Sequence, residues 1–374
     1  MTVYLDYNAT APVRPEAKEA VLRALEIGGN PSSVHAAGRA ARSLIEAARA
    51  RVADLIAVKP GSITFTSGGT ESNALAIESA VAAGYDRILL GATEHGAVSE
   101  NVRATGVPVE VWPVDANGVA DLAWLGEALG RGGKPLVCLM LANNETGVIQ
   151  PVAEAAALVR EAGGWLHVDA VQAGGKIAID FNALGADTLA LAAHKIGGPF
   201  GVGALAAGPR ATLVRRLHGG GQERGRRAGA ENLSGIAGFG AACDAARLHL
   251  DSIAAQAPWR DALQARVEAV GAEILGKDAP RLPQTLGFAA SGFDAQMQVM
   301  GMDLAGVMIS AGPACSSGKM KPSDVVAAMG RPDLAPSAIR VSGGWDTTQA
   351  DWIRAGDAWL ELYARHTARR KEVA

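Results

Sequence analysis

An α/β fold built on a mostly parallel sheet is what this sequence predicts, and three observations carry the expectation. Short apolar runs alternate with Ala-rich stretches through the first half of the chain. Several polar residues able to do chemistry fall just after those runs. A length of 374 residues, 49% of them hydrophobic and 20% charged, supplies enough core for two units. Strands alternating with helices form units on a parallel sheet, which collects ligands at the carboxyl ends of its strands.

In chain order the strand candidates are Ile63-Thr64-Phe65-Thr66, Arg87-Ile88-Leu89-Leu90, Val109-Glu110-Val111-Trp112 and Leu136-Val137-Cys138-Leu139-Met140. Trp165-Leu166-His167-Val168 and Thr188-Leu189-Ala190-Leu191 follow. Between them 71–82 and 152–162 read as helices. A long helical region over 239–275, interrupted near Ala257-Pro258, reads as a connector into a second unit. That unit carries strand signals at Gln284-Thr285-Leu286-Gly287-Phe288 and Ala338-Ile339-Arg340-Val341, then an amphipathic helix after Thr348. The expected division is a large domain over 13–250 and a smaller α/β domain over 1–12 and 251–374.

A formal charge of −3 argues against a chain that coats nucleic acid or an anionic membrane, since both want a positive excess. The basic, glycine-rich stretch His218 to Arg227 lacks the interleaved aromatics of an RNA binder. The start of the chain lacks the basic flank and apolar core of a signal peptide, and no stretch approaches the ~20 apolar residues of a membrane span. The expectations are a small-molecule substrate, no membrane, no direct nucleic-acid contact and a cytoplasmic location. Three widely spaced cysteines, Cys138, Cys243 and Cys315, show no metal spacing, so no metal site is expected.

Lys195 and Asp169 are the pair on which the chemistry turns. An amine that can form a Schiff base and a carboxylate that can keep a pyridine nitrogen protonated are two parts that pyridoxal phosphate chemistry needs. Taken singly, such an aspartate is a helix cap and such a lysine a solvated charge. Ser67-Gly68-Gly69-Thr70-Glu71 follows a strand and opens a helix, which aims backbone N–H groups at one point and suits an anion, though an ordinary glycine turn would look the same. His95 ends another strand and could stack on a ring or move protons, against the default of a structural histidine. Asn144 lies in a turn-forming stretch, and Arg340, near a strand end, could clamp a carboxylate. Cys315 sits in a small-residue stretch that reads as an exposed loop, where a thiol is usable; Cys138 and Cys243 read as buried apolar side chains.

Taken together the motifs resemble the NifS/IscS-type cysteine desulfurases, in the class V aminotransferase group of fold type I pyridoxal phosphate enzymes. The likeness runs nearly end to end, through Tyr4-Leu5-Asp6-Tyr7-Asn8-Ala9-Thr10, Gly29-Asn30-Pro31-Ser32-Ser33-Val34-His35, the Thr70 loop and Glu94-His95. It continues through Asn143-Asn144-Glu145, His167-Val168-Asp169-Ala170, His194-Lys195, the triple-glycine loop, the Cys315 loop and Ile339-Arg340-Val341-Ser342. The resemblance implies pyridoxal 5'-phosphate as cofactor, with Lys195 as its Schiff-base lysine, Asp169 at the pyridine nitrogen, Gln172 at the ring hydroxyl and His95 over the ring. It places Gly69, Thr70 and His194 at the phosphate, and Asn144 and Arg340 on the substrate. It further implies that L-cysteine becomes L-alanine, with Lys195 removing the α-proton and Cys315 carrying sulfur as a persulfide to an acceptor such as an iron-sulfur scaffold protein, in a homodimer.

The chain departs from the family's pattern at four places. Ala192 stands where a phosphate-contacting Ser is usual, and Ala230 where a Thr usually reaches the neighbouring subunit's phosphate. The loss of two hydroxyl donors, at about 0.5–1.5 kcal/mol each, implies weaker phosphate binding. Pro313 replaces a Ser near Cys315, and Gly343 a larger apolar residue. A selenocysteine lyase, another class V enzyme and a non-catalytic assembly module are the competing readings.

Overall fold

The computed structural model describes residues 2–312 and 321–373. Its centre is a seven-stranded sheet made of β2 (Ile63–Thr66), β3 (Arg87–Gly91), β4 (Val109–Trp112), β5 (Pro135–Cys138), β6 (Trp165–Asp169), β7 (Thr188–Ala192) and β8 (Gly203–Ala207), in the order β2-β8-β7-β6-β5-β3-β4. The strands from β7 across to β4 pair in parallel, whereas β8 pairs antiparallel with both β7 and β2. Six strands therefore point one way and β8 alone returns. β5, β6 and β7 are buried at every residue, as a sheet covered on both faces requires. At the edge, β4 exposes Val109 and Val111. Of the predicted strands, that of 136–140 starts at Pro135 and ends at Cys138, after which Leu139 packs into the core and Met140 lines the site. β8, Gly-Ala-Leu-Ala-Ala, gave no signal: its alanines have little strand propensity, and burial between two partners makes it a strand.

Helices α1 (Pro15–Leu25), α2 (Ala36–Leu55), α3 (Gly69–Ala82) and α4 (Gly96–Ala104) precede or follow the first strands. The sequence reading contained neither α1 nor α2. Both pack on the helix Leu233–Leu248, whose glycines permit close approach: a Cβ on Gly240 would lie 2.7 Å from the Ala48 backbone. The expected long connector is three helices, Leu233–Leu248, Leu250–Ala254 and Ala257–Glu268. The first break falls at His249, whose backbone leaves the helical region, and Pro258 lies in the first turn of the third helix, where its missing N–H costs no bond.

A second, four-stranded antiparallel sheet runs in the order β12 (Ser310–Ala311), β13 (Ala338–Ser342), β10 (Thr285–Ala289), β9 (Glu273–Ile274). It shares a separate apolar cluster with the C-terminal helix Gln349–Val373, centred on Phe288, Trp352 and Trp359. Val3 and Leu5 belong to that cluster too, because β1 (Val3–Tyr4) pairs with β11 (Val307–Met308). The chain then crosses to the large sheet: Tyr7 N–H donates to Ser342 O at 3.1 Å and Ala11 N–H to His194 O at 2.8 Å. Gly343 has a physical reason, since a Cβ there would lie 2.3 Å from Oε1 of the buried Gln256.

Candidate active site

The strands that point one way deliver their following loops to one edge of the large sheet. β2 leads into Ser67-Gly68-Gly69 and α3, β3 into Glu94, His95 and α4, and β5 into Met140 to Asn144. β6 ends at Asp169, and β7 leads into the 3₁₀ turn Ala193–Lys195. Gly69, Thr70, His95, Asn144, Asp169, Gln172, His194 and Lys195 line one cavity of about 200 Å³. His95, Asn144, Gln172 and Lys195 also line an adjoining cleft of about 620 Å³ that reaches Arg340. Every site residue anticipated from the sequence is thus gathered there except Cys315, which with Pro313 lies outside the described residues.

Lys195 Nζ donates to the backbone carbonyls of Asn8 at 2.6 Å and Ala9 at 2.7 Å. Burial, with the Arg340 guanidinium adding to it, lowers its pKa to about 8, so about a tenth of the amine is neutral at pH 7, far more than for an ordinary lysine. Asp169 is buried; its Oδ1 accepts from Val171 N–H at 2.9 Å and its Oδ2 from Asn73 Nδ2 at 2.8 Å. Behind Asn73 the hydrogen bonds run in one direction. Asn73 Oδ1 faces His167 Nε2 at 2.9 Å, His167 Nδ1 faces Thr188 Oγ1 at 3.0 Å, and Trp165 Nε1–H donates to that hydroxyl at 3.1 Å. With Asn73 donating to the carboxylate, its oxygen must accept, which puts the His167 proton on Nε2 and makes Nδ1 the acceptor of the Thr188 hydroxyl. Burial pushes His167 down to about 3, consistent with a ring that carries one proton only. The chain of donors holds Asp169 as an acceptor.

α3 begins with no side-chain cap, which leaves its first amides for a ligand, while Glu71 turns away to accept from Ser67 N–H and pair with Arg227. His194 Nδ1 lies 3.2 Å from Thr10 Oγ1 and its ring stacks on Phe200. Burial and the neighbouring Lys195 lower it to about 4, so it acts as a neutral donor. His95 Nδ1 caps α4 by accepting from Ala97 N–H at 3.0 Å, which leaves its proton on Nε2. Loss of hydration lowers its pKa, Asp169 opposing and Lys195 adding. Arg340 donates through Nη1 to Asn144 O at 2.8 Å and pairs with Asp6 at 2.6 Å, while its buried Nε has no partner among the described residues. Ala192 lines the small cavity, whereas Ala230 is exposed and lines a separate groove with Ser67 and Arg227.

Sequence reasoning missed Asn73, His167, Asn8, Asp6 and Glu94 as parts of the site. Asn73 had a signal: three positions after Thr70 on α3, it shares that residue's helix face. Glu94 accepts from Met140 N–H, and its buried Oε2 has no partner among the described residues; burial, with Asp169 adding, holds its carboxyl well above the usual range. Cys138 and Cys243 are buried with their thiols pushed up by that burial, so neither is a thiolate.

The residues fit pyridoxal 5'-phosphate: an uncapped helix start, a neutral histidine donor, a carboxylate held as acceptor and a lysine of lowered pKa converge on one cavity. Comparison with known proteins agrees. Residues 3–353 match the family described as Aminotransferase class-V. The chain is 43% identical over 360 residues to a cysteine desulfurase of Cereibacter sphaeroides, covering 93% of this chain and 92% of that one. It is 39% identical over 360 residues to the cysteine desulfurase IscS of Dictyoglomus turgidum, covering 93% and 91%. Its fold is similar to the crystal structure of a NifS-like protein from Rickettsia africae, with a TM-score of 0.87 and 33% identity over 97% of this chain and 100% of that one. With a family match that spans both sheets and the whole described cavity, the chain belongs to the class V aminotransferases.

Proposed function

We propose that this protein is a pyridoxal 5'-phosphate-dependent cysteine desulfurase that converts L-cysteine to L-alanine and passes the sulfur through a persulfide on Cys315. The observation that carries the reading is the continuity of the small cavity holding Lys195 and Asp169 with a cleft that ends at Arg340. It is supported by the relatives named as cysteine desulfurases. When bound, the cofactor supplies a carbonyl carbon for an amine and a protonated ring that withdraws electrons from the substrate's α-carbon. Asp169 would face the ring nitrogen, Gln172 the ring hydroxyl and His95 the ring. Gly69, Thr70 and His194 would hold the phosphate.

Lys195, partly neutral near pH 7, would take the α-proton at Nζ, and the carbonyls of Asn8 and Ala9 would hold the ammonium so formed. Arg340, which lines the cleft, would receive the substrate carboxylate through its guanidinium, with Asp6 keeping that group in place. Asn144 would orient the substrate beside it. Cys315, outside the described residues, would attack the substrate's sulfur as a thiolate and keep it as a persulfide, the carbon–sulfur bond breaking to leave alanine. The same reading divides the chain into a large cofactor-binding domain over 13–250 and a small domain over 1–12 and 251–374. It makes a homodimer, a cytoplasmic location and a sulfur acceptor of the iron-sulfur scaffold type the working assumptions; among the described residues no helix is long and apolar enough to cross a membrane.

The test is product analysis. Purified protein given L-cysteine and a reductant should release alanine and sulfide in equal amounts, and mass spectrometry after cysteine treatment without reductant should find a mass increase of one sulfur on the peptide containing Cys315. Undiminished sulfide release by Cys315→Ala would refute the persulfide role, and cleavage of selenocysteine but not cysteine would refute the substrate.

A further inference from the structure

Lys176 is buried with 6% of its surface exposed, makes no ion pair among the described residues, and has no part in the chemistry set out above. Its Nζ donates to Gln172 Oε1 at 2.6 Å and to Asn8 Oδ1 at 2.9 Å. Four positions separate Lys176 from Gln172 in the turn after β6, the spacing that sets two side chains side by side. Burial, with the cations Lys195 and Arg340 adding to it, pushes this lysine well below the usual range. Two amide oxygens are its acceptors, and no carboxylate is among its hydrogen-bond partners in the described residues.

Both acceptors belong to groups that face Lys195. An amide carries a donor end and an acceptor end, and which end faces a ligand is decided by its neighbours. Because the amine takes the oxygen of Gln172, the Nε2 end is turned to the Asn8 carbonyl, to which it donates at 2.8 Å; that nitrogen makes no second hydrogen bond among the described residues, and Gln172 lines the cavity. Asn8 is fixed at every polar atom: Oδ1 by Lys176, Nδ2 by Asn144 O at 3.2 Å and Thr285 Oγ1 at 3.0 Å, and its backbone N–H by Ser342 Oγ at 3.1 Å. Its carbonyl is the one on which the Lys195 amine rests.

We infer that Lys176 is a positioning residue: through Gln172 and Asn8 it sets which end of the Gln172 amide meets the cofactor and where the free amine of Lys195 waits. This inference rests on the reading of Gln172 as a contact of the cofactor ring. The test uses the apoproteins of wild type, Lys176→Met, Gln172→Ala and the double variant, titrated with pyridoxal 5'-phosphate and followed by the visible absorbance of the bound form. Each single substitution should raise the dissociation constant about tenfold, the effect of losing one hydrogen bond to a polar ring substituent, and should move the pH midpoint of the visible band in the same direction. The double variant should be no weaker than Lys176→Met alone, because both changes remove one interaction. A wild-type dissociation constant in either single variant, or fold-changes that multiply in the double, would overturn the proposal. If Lys176→Met lacks a cooperative melting transition, Asn8→Ala, which removes the other acceptor of the same amine, enters the same cycle with Gln172→Ala, and multiplying effects there overturn it equally. No cysteine is used, so failure here leaves the desulfurase reading standing, and failure of sulfur release leaves this result standing.

Discussion

At the scale of single residues the site works by withholding water from basic groups. Lys195 has a pKa lowered to about 8 from an ordinary 10.5. Only the neutral amine attacks a carbonyl carbon, so the rate at which apoprotein develops the visible band should climb as pH rises through about 8 and level off above it. An ordinary lysine would keep gaining up to 10 and beyond, and stopped-flow absorbance distinguishes the two. Lys195→Ala should show no such band at any pH. Ala192 gives a second expectation. Its methyl group lines the cavity where a hydroxyl could donate to the phosphate, so Ala192→Ser should tighten cofactor binding by about 0.5–1.5 kcal/mol, or roughly two- to twelvefold, in an equilibrium titration.

Elements position those residues, and one fastening between elements carries a measurable load. The turn Gln222–Gly225 holds two non-glycine residues, Glu223 and Arg224, at φ values of 47° and 58°. Such backbone persists only where its surroundings hold it. Here the Glu223 carboxylate accepts from both terminal nitrogens of Arg49, at 2.7 and 2.9 Å, and from Phe65 N–H at 2.9 Å, all of them buried. Glu223→Gln leaves the buried guanidinium with only the half-exposed Glu46 as counter-charge and should cost about 3 kcal/mol in urea unfolding. Reading this turn from sequence was impossible, because the stretch looks like a solvated basic loop and the anchor on α2 lies far away along the chain. α1, α2 and β8 were missed for another reason: the positions they bury are largely alanine, which marks a packed face less plainly than a larger apolar side chain. The central strands, by contrast, were legible as unbroken apolar runs, and most of the large-sheet site residues because they fall where such a run stops; Arg340, expected near a strand end, lies in the middle of β13. The resemblance to a known family assigned roles to residues such as Gln172 that spacing alone would have left as turn formers. Lys176 and Asn73 escaped both routes, and Asn8 stood in a motif of the resemblance without a role, since a buried lysine or asparagine looks like a surface one until its partners are known.

For the whole molecule, the quantities to test are the largest apolar cluster, under the seven-stranded sheet, and the separate one on the small sheet. Trp359 is 1% exposed, stacks on Tyr363 with ring centroids 4.9 Å apart, and donates from Nε1 to Gln298 Oε1 at 2.8 Å. Trp359→Ala should cost about 3–5 kcal/mol of stability. If the small sheet and its helices melt as their own unit, calorimetry of that variant should show one transition moved to lower temperature and the other in place. A single transition moved as a whole would show instead that the two clusters unfold together.

The pairing of Val3 with Val307 has a consequence for how the molecule is made. A ribosome releases the first strand roughly 15–60 s before its mate, at ordinary elongation speeds of about 5–20 residues per second. Until then the peptide that supplies the carbonyls beneath Lys195 has no anchor at one end. Competence to hold a vitamin in the mature manner therefore arrives near the end of synthesis, and nascent chains arrested before that point should take up pyridoxal phosphate poorly even though most of the large sheet has been translated.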